Sequence, residues 1–141
     1  MTEIRLNIAE SSGDLPHDAC EARPPLADMP LLGFVDAVKV MALFKVLSND
    51  TRIRILHHII RSGEASVTDI AKTLGMKPQA VSNQLMRLSD TRILASRREG
   101  NNVYYRVENC CVAPLLDLAL CLMEKGALDR TREGAAHAQP H

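Results

Sequence analysis

Along LLGFVDAVKVMALFKVLS the apolar residues fall on two helical stripes at once. Leu31, Phe34, Val38, Met41 and Ala42 form one; Leu32, Val35, Val40, Leu43 and Leu47 form the other. A helix that is apolar on most sides has to be buried on most sides. In a chain of 141 residues, one of those sides is expected to meet a second subunit. Asn49 or Asp50 then caps a helix over about Thr51 to Arg61, with Ile53, Ile55, Leu56, Ile59 and Ile60 inward. Ser62-Gly63 ends it. Ser66 caps the next stretch, SVTDIAKTL, with Asp69 at the capping-box position and Ile70 and Leu74 inward. Gly75 supplies a left-handed turn, and Pro78 opens a further helix at a position that needs no N–H. In that helix Val81, Leu85 and Leu88 face inward, leaving Gln79, Ser82, Asn83, Met86 and Arg87 outward. The spacing then changes to two strand-like runs, Ile93 to Arg98 and Val103 to Val107, around Glu99-Gly100-Asn101-Asn102. Gly and Asn accept the dihedrals of a tight hairpin turn. The last apolar stretch, VAPLLDLALCLMEKGALDR, reads as a helix with Pro114 in its first turn and an end near Gly126. It leaves little polar face, so it is a second candidate for an interface.

The order helix, helix, helix-turn-helix, hairpin, helix predicts a mainly α fold with a small β-hairpin. It is a winged helix-turn-helix that dimerises through its N- and C-terminal helices. Residues 30–126 form the domain. Residues 1–29, acidic and rich in breakers, are expected as a disordered arm, and residues 127–141 as a disordered tail. Aromatic residues make up 3% of the chain and Trp is absent, so the core must be aliphatic, which suits helices.

Net charge is zero, which at first argues against a nucleic-acid partner. Its distribution reverses that. From Asp50 to Arg106 there are ten Lys/Arg against five Asp/Glu; of the chain's 17 and 17, seven and twelve remain elsewhere. The basic surplus sits on the helix-turn-helix and hairpin, where a phosphate-facing surface belongs. Gln79, Ser82 and Asn83 are side chains that bond base edges; Asn and Gln match adenine at N6 and N7. Lys77, Arg87, Arg97, Arg98, Asn101 and Asn102 complete the DNA-binding set, the last four on the wing.

These motifs resemble the ArsR/SmtB metal-responsive repressors: ALFKVLSNDTRIRIL, then VTDIAKTLGMKPQAVSNQLMRL, then ILASRREGNNVYYRV, over roughly Val35 to Glu124. The resemblance implies a homodimer on palindromic double-stranded operator DNA, released when an inducer binds. One sensor site of that family is a Cys-x-Cys at the start of the first reading-head helix. Ser66 and Thr68 stand there, so thiolate chemistry at that site is excluded. A second family site pairs an acid and a His before the C-terminal helix with a His and an acid within it, across the dimer. Matching Cys121 and Glu124 to the later pair puts Cys110 and Glu108 at the earlier one. Matching through the tyrosines selects Cys111 instead, with Asn109 in place of the acid. Cys20 is a further sulfur that the arm can bring. Thiolates select soft or borderline ions such as Zn(II), Cd(II), Pb(II), Hg(II) or Cu(I), and As(III) is thiophilic by the same family analogy.

Two other functions compete. The thiols near the C-terminal helix can instead serve redox or reactive-sulfur sensing, or the winged fold can serve as an interaction module without metal sensing. An enzyme has the least support. The chain holds no Cys-x-x-Cys, no His-Glu-x-x-His, no P-loop and no Gly-rich dinucleotide fingerprint. With no apolar run near the ~18 to 20 residues of a membrane span and no secretory pattern at its start, the protein is expected in the cytoplasm, without a membrane partner and with its cysteines as thiols.

Overall fold

A computed structural model of the chain describes residues 23–137, with side chains described for 23–126. The expectations for residues 1–22, Cys20 among them, lie outside the described residues. Helix α1 spans Phe34–Leu47, α2 Asp50–Ser62, α3 Val67–Leu74 and α4 Pro78–Asp90. Strands β2 (Leu94–Glu99) and β3 (Asn102–Val107) follow, and α5 spans Val112–His137. A two-residue strand, β1 (Ala65–Ser66), and a 3-10 turn at Leu26–Asp28 complete the order.

The helix boundaries follow from local chemistry. Asn49 settles the cap left open in the sequence: its side chain accepts the Arg52 N–H at 3.0 Å. Ser66 caps α3 by accepting the Asp69 N–H at 3.2 Å. Gly75, with φ 65°, takes the left-handed seat between α3 and α4. Beyond α4 the N–H groups of Arg92 and Ile93 bond the carbonyls of Ser89 and Leu88, a Schellman closure, with Arg92 in the left-handed seat at φ 60°. Gly100 has φ 60° and Asn101 does not, as in a type II′ turn, so Glu99 pairs with Asn102 across a two-residue loop.

The hairpin is part of a larger sheet than the sequence predicts. β1 adds to β3 antiparallel, Ala65 opposite Tyr105 and Ser66 opposite Tyr104, giving the order β1-β3-β2. Two residues carry no period, so this strand leaves no pattern to read. α5 also departs from expectation: it continues through Gly126 to His137 instead of stopping there. Each of the two glycines in this stretch, Gly126 and Gly134, costs a helix only about 1 kcal/mol, and the Ala, Leu and Arg residues around them are good helix formers.

The core is aliphatic, as expected. Ile55, Leu56 and Ile59 of α2, Ile70 of α3, and Val81, Leu85 and Leu88 of α4 are fully buried. Leu47, Ile93, Leu94 and Val112 close it from α1, the sheet and α5. Two expected core residues of α2 are displaced. Ile53 is 40% exposed and Ile60 only half-buried. At about 100° per residue, both sit roughly 95° to 115° from the Ile55–Leu56–Ile59 stripe. Arg52 sits close to the centre of that stripe.

Truncating Leu85→Ala is expected to cost about 2 to 5 kcal/mol, the range for a fully buried leucine, measured as a fall in the denaturant midpoint at unchanged slope.

Candidate nucleic-acid interface and cysteine region

The buried stripe of α4 fixes the helix's rotation and therefore its outer face. Lys77, Gln79, Asn83, Met86 and Arg87 are exposed there, with Ser82 at the edge. The Gln79 side-chain amide donates to Asn83 Oδ1 at 3.2 Å, one helical turn away, so the two amides are held as a pair. The outer face also carries one acid, Asp90, the last residue of a helix that runs two residues beyond the segment read as apolar-periodic.

Gln84, between the two faces, explains a residue the sequence did not single out. Arg52 donates through Nε to Gln84 Oε1 at 2.8 Å and through Nη1 to the Val46 carbonyl at 2.6 Å. One guanidinium thus joins the last turn of α1 to the middle of α4. The clue was present in its phase, inward among the isoleucines.

In the hairpin, the register separates the two adjacent arginines. Leu94, Ser96 and Arg98 share a face with Val107, Tyr105 and Val103; Ala95, Arg97 and Glu99 share the other with Arg106, Tyr104 and Asn102. Tyr105 and Val107 pack on the core, so Arg98 continues the face that looks toward the helices. Arg98, Asn101, Asn102 and Arg106 are exposed. Arg97, expected on phosphate, is engaged within the protein. Its Nε and Nη2 donate to the two oxygens of Glu64, its Nη1 donates to Glu99 at 2.7 Å, and its guanidinium lies 4.7 Å above the Tyr104 ring. These bonds hold the Glu64 carboxyl below the usual carboxylate range, with smaller help from the charges of Arg97 and Arg106, and push Arg97 further up.

The cysteines do not form one site within the described chain. Cys110 and Cys111 precede α5, in a turn where Asn109 Oδ1 accepts the Cys111 N–H at 2.9 Å. Cys110 therefore lies outside the helix that carries Cys121. Leu115 N–H bonds the Cys111 carbonyl, which places Cys111 at the first turn of α5. Cys121 is ten steps further along, about 15 Å at 1.5 Å per residue. Among the described residues, no group of three or more His, Cys, Asp or Glu side chains is placed to hold a metal ion. Cys121 is exposed, with Glu124 one turn beyond it and also exposed; Glu108 is exposed before the turn. Cys111 is disulfide-bonded. No described helix is long and apolar enough to cross a membrane.

Large apolar side chains stand in solvent on α1 and α5: Phe34 at 85%, Val35 at 64%, Leu118 at 68% and Leu122 at 74%.

Similarity to known proteins bears on each part. A model described as MarR family matches residues 49–102, from the cap of α2 to the start of β3. The crystal structure of AntR, an antimony-specific transcriptional repressor, is 52% identical, covers 76% of this chain and 96% of its own, and superposes with a TM-score of 0.66. The arsenic resistance transcriptional regulator ArsR1 of Pseudomonas putida is 34% identical over 64% of this chain and 67% of its own. The homodimeric winged helix-turn-helix DNA-binding domain Mb0332 of Mycobacterium bovis is 28% identical, with a TM-score of 0.58 over 80% of this chain and 96% of its own.

A depressed folded-state pKa stabilises above the unfolded value and is lost as pH falls through the folded one. Glu64 therefore stabilises at neutral pH, and part of the melting temperature is lost as pH drops below the usual carboxylate range. Thermal melts across that range should show a shallower acid loss in Glu64→Gln.

Proposed function

This chain belongs to the ArsR/SmtB family of winged helix-turn-helix transcriptional repressors, and on that basis we propose that it binds palindromic operator DNA as a homodimer and is released by a thiophilic ion. Its relatives are regulators, and it is a transcriptional repressor, not an enzyme. The observation that carries the DNA reading is the outer face of α4, where paired amides stand exposed beside Lys77 and Arg87. Gln79, Ser82 and Asn83 read base edges, and Met86, 62% exposed, suits a thymine methyl. Lys77, Arg87 and Arg98 meet phosphates, with Asn101 and Asn102 at the wing tip. The dimer reading is supported by the apolar faces of α1 and α5, which water covers in the single chain, and by the homodimeric relative.

For the inducer, Cys110 and Cys111 of one protomer combine with Cys121 of the partner subunit. Within one chain the set cannot close; two antiparallel copies of α5 bring the start of one to the middle of the other, where Cys121 lies. Glu108 lies just before the first of these points and Glu124 one turn beyond the second. An all-sulfur set favours soft ions: As(III), the antimony named for AntR, Cd(II), Pb(II) or Hg(II), with Zn(II) less suited. Such an ion, when bound, crosslinks thiolates. The chain's own part is to present them, and a dimer held in that geometry presents its two α4 helices at a spacing that no longer fits the operator. The disulfide at Cys111 favours a second reading, in which oxidation of the same thiol is the switch.

Two measurements test this. Binding to randomised duplexes should show Asn83→Ala changing sequence preference. Arg98→Ala should weaken all sequences alike and reduce the salt slope by about 0.9; equal loss on every sequence for Asn83→Ala removes it from base reading. Separately, adding As(III), Sb(III) or Cd(II) to the dithiothreitol-reduced chain should produce ultraviolet thiolate-to-metal absorption and weaken DNA binding about 5- to 150-fold. Cys121→Ser should abolish both. If no ion acts and dithiothreitol alone restores DNA binding to oxidised protein, the redox reading replaces the metal one.

A further inference from the structure

We propose that Glu64 and Arg97 form a clamp that sets the angle of the wing on DNA, making Arg97 a positioning residue and not a phosphate contact. The proposal rests on the DNA-binding reading above.

The sheet itself explains the need. β1 contributes only two residues, opposite Tyr104 and Tyr105. The outer half of the hairpin, from Arg97 to Asn102, therefore has backbone partners only within the hairpin. A two-stranded ribbon is marginally stable alone and twists freely. Arg97 supplies the missing restraint. From the edge strand β2 it reaches across β3, over the Tyr104 ring, to Glu64, the residue just before β1. The bond to Glu64 uses both carboxylate oxygens, the fork geometry that fixes direction as well as distance. Glu99 takes a third donor and ties the same guanidinium to the tip. Tyr104 covers one face of its plane.

Charge points the same way. Two carboxylates surround this one arginine and take up its donors, so even with Arg106 nearby the cluster carries no net positive charge to offer a phosphate. Arg98, on the opposite face of the strand, forms no ion pair among the described residues and continues the surface toward α4. Adjacent positions on a strand point to opposite sides, so the two arginines divide the work: one braces, one binds.

The two roles for Arg97 predict opposite signs at Glu64. Anisotropy with a labelled duplex of about 30 base pairs separates them, using Glu64→Gln, Arg97→Ala, Arg98→Ala and their pairs, each confirmed folded by circular dichroism. With the clamp, Glu64→Gln weakens binding about two- to five-fold, a range suited to an exposed but networked ion pair. Arg97→Ala matches it, the double variant is no weaker than either, and Arg98→Ala costs less once Glu64 is changed. A residue that only contributes stability would leave that last coupling at zero. If Glu64→Gln binds as well as the unvaried chain or tighter, or if its effect adds to that of Arg97→Ala, the clamp is wrong while the DNA reading stands. If the unvaried chain shows no salt-dependent duplex binding, the DNA reading falls and the clamp falls with it.

Discussion

Three side chains on one face of α4 determine what the rest of this domain can do. Val81, Leu85 and Leu88 are fully buried against α2, α3 and the sheet, and their burial fixes the rotation of the helix about its own axis. With the inner face taken, Gln79, Asn83, Met86 and Arg87 have no alternative to solvent. The energetic logic is asymmetric. Buried aliphatic side chains each contribute about 1.5 to 3 kcal/mol, so the core holds the outer face rigid without any contribution from the polar residues displayed on it. Those residues are free to vary without cost to the core.

Polar contacts then refine what packing fixes. Arg52 lies in the apolar stripe of α2 yet spends its donors on Gln84 and on the carbonyl of Val46. Losing either partner leaves a half-buried guanidinium short of a bond, which is costlier than losing an ordinary surface contact. The Glu64–Arg97–Glu99 group plays the corresponding part for the hairpin, which has no core of its own at its tip. Core and polar restraints thus act on different degrees of freedom: the first on helix rotation, the second on how α1, α4 and the wing stand relative to one another.

Much of this was legible from the residues. Period and caps located every helix start to within a few positions, because Asn49, Ser66, Gly75 and Pro78 each act through the local backbone. The aliphatic core and the outward amides followed from the same periodicity. What escaped was non-local. β1 has no pattern because it exists only through its pairing with β3. Arg97 and Arg98 look equivalent in sequence, and only the register and the approach of Glu64, 33 positions away, distinguish them. Ile53 seemed a core residue because isoleucine is apolar, although its phase excludes it. The position of Cys110 outside α5 follows from a helix start at Val112, two residues after it.

The distance between Cys111 and Cys121 has a consequence for how a cell would experience this protein. Thiolate–metal bonds are about 2.3 Å, whereas the two cysteines are separated by about 15 Å of continuous helix. No single copy can close around one ion with both Cys111 and Cys121. Any response that uses both would be second order in protein: it would vanish on dilution below the dissociation constant of a dimer. It also obeys reciprocity, so an ion held between two chains tightens their association by the same factor that dimerisation tightens the ion. Sensitivity to the inducer would then be set partly by how much of the repressor is present, and a cell could tune its detection threshold by expression level alone.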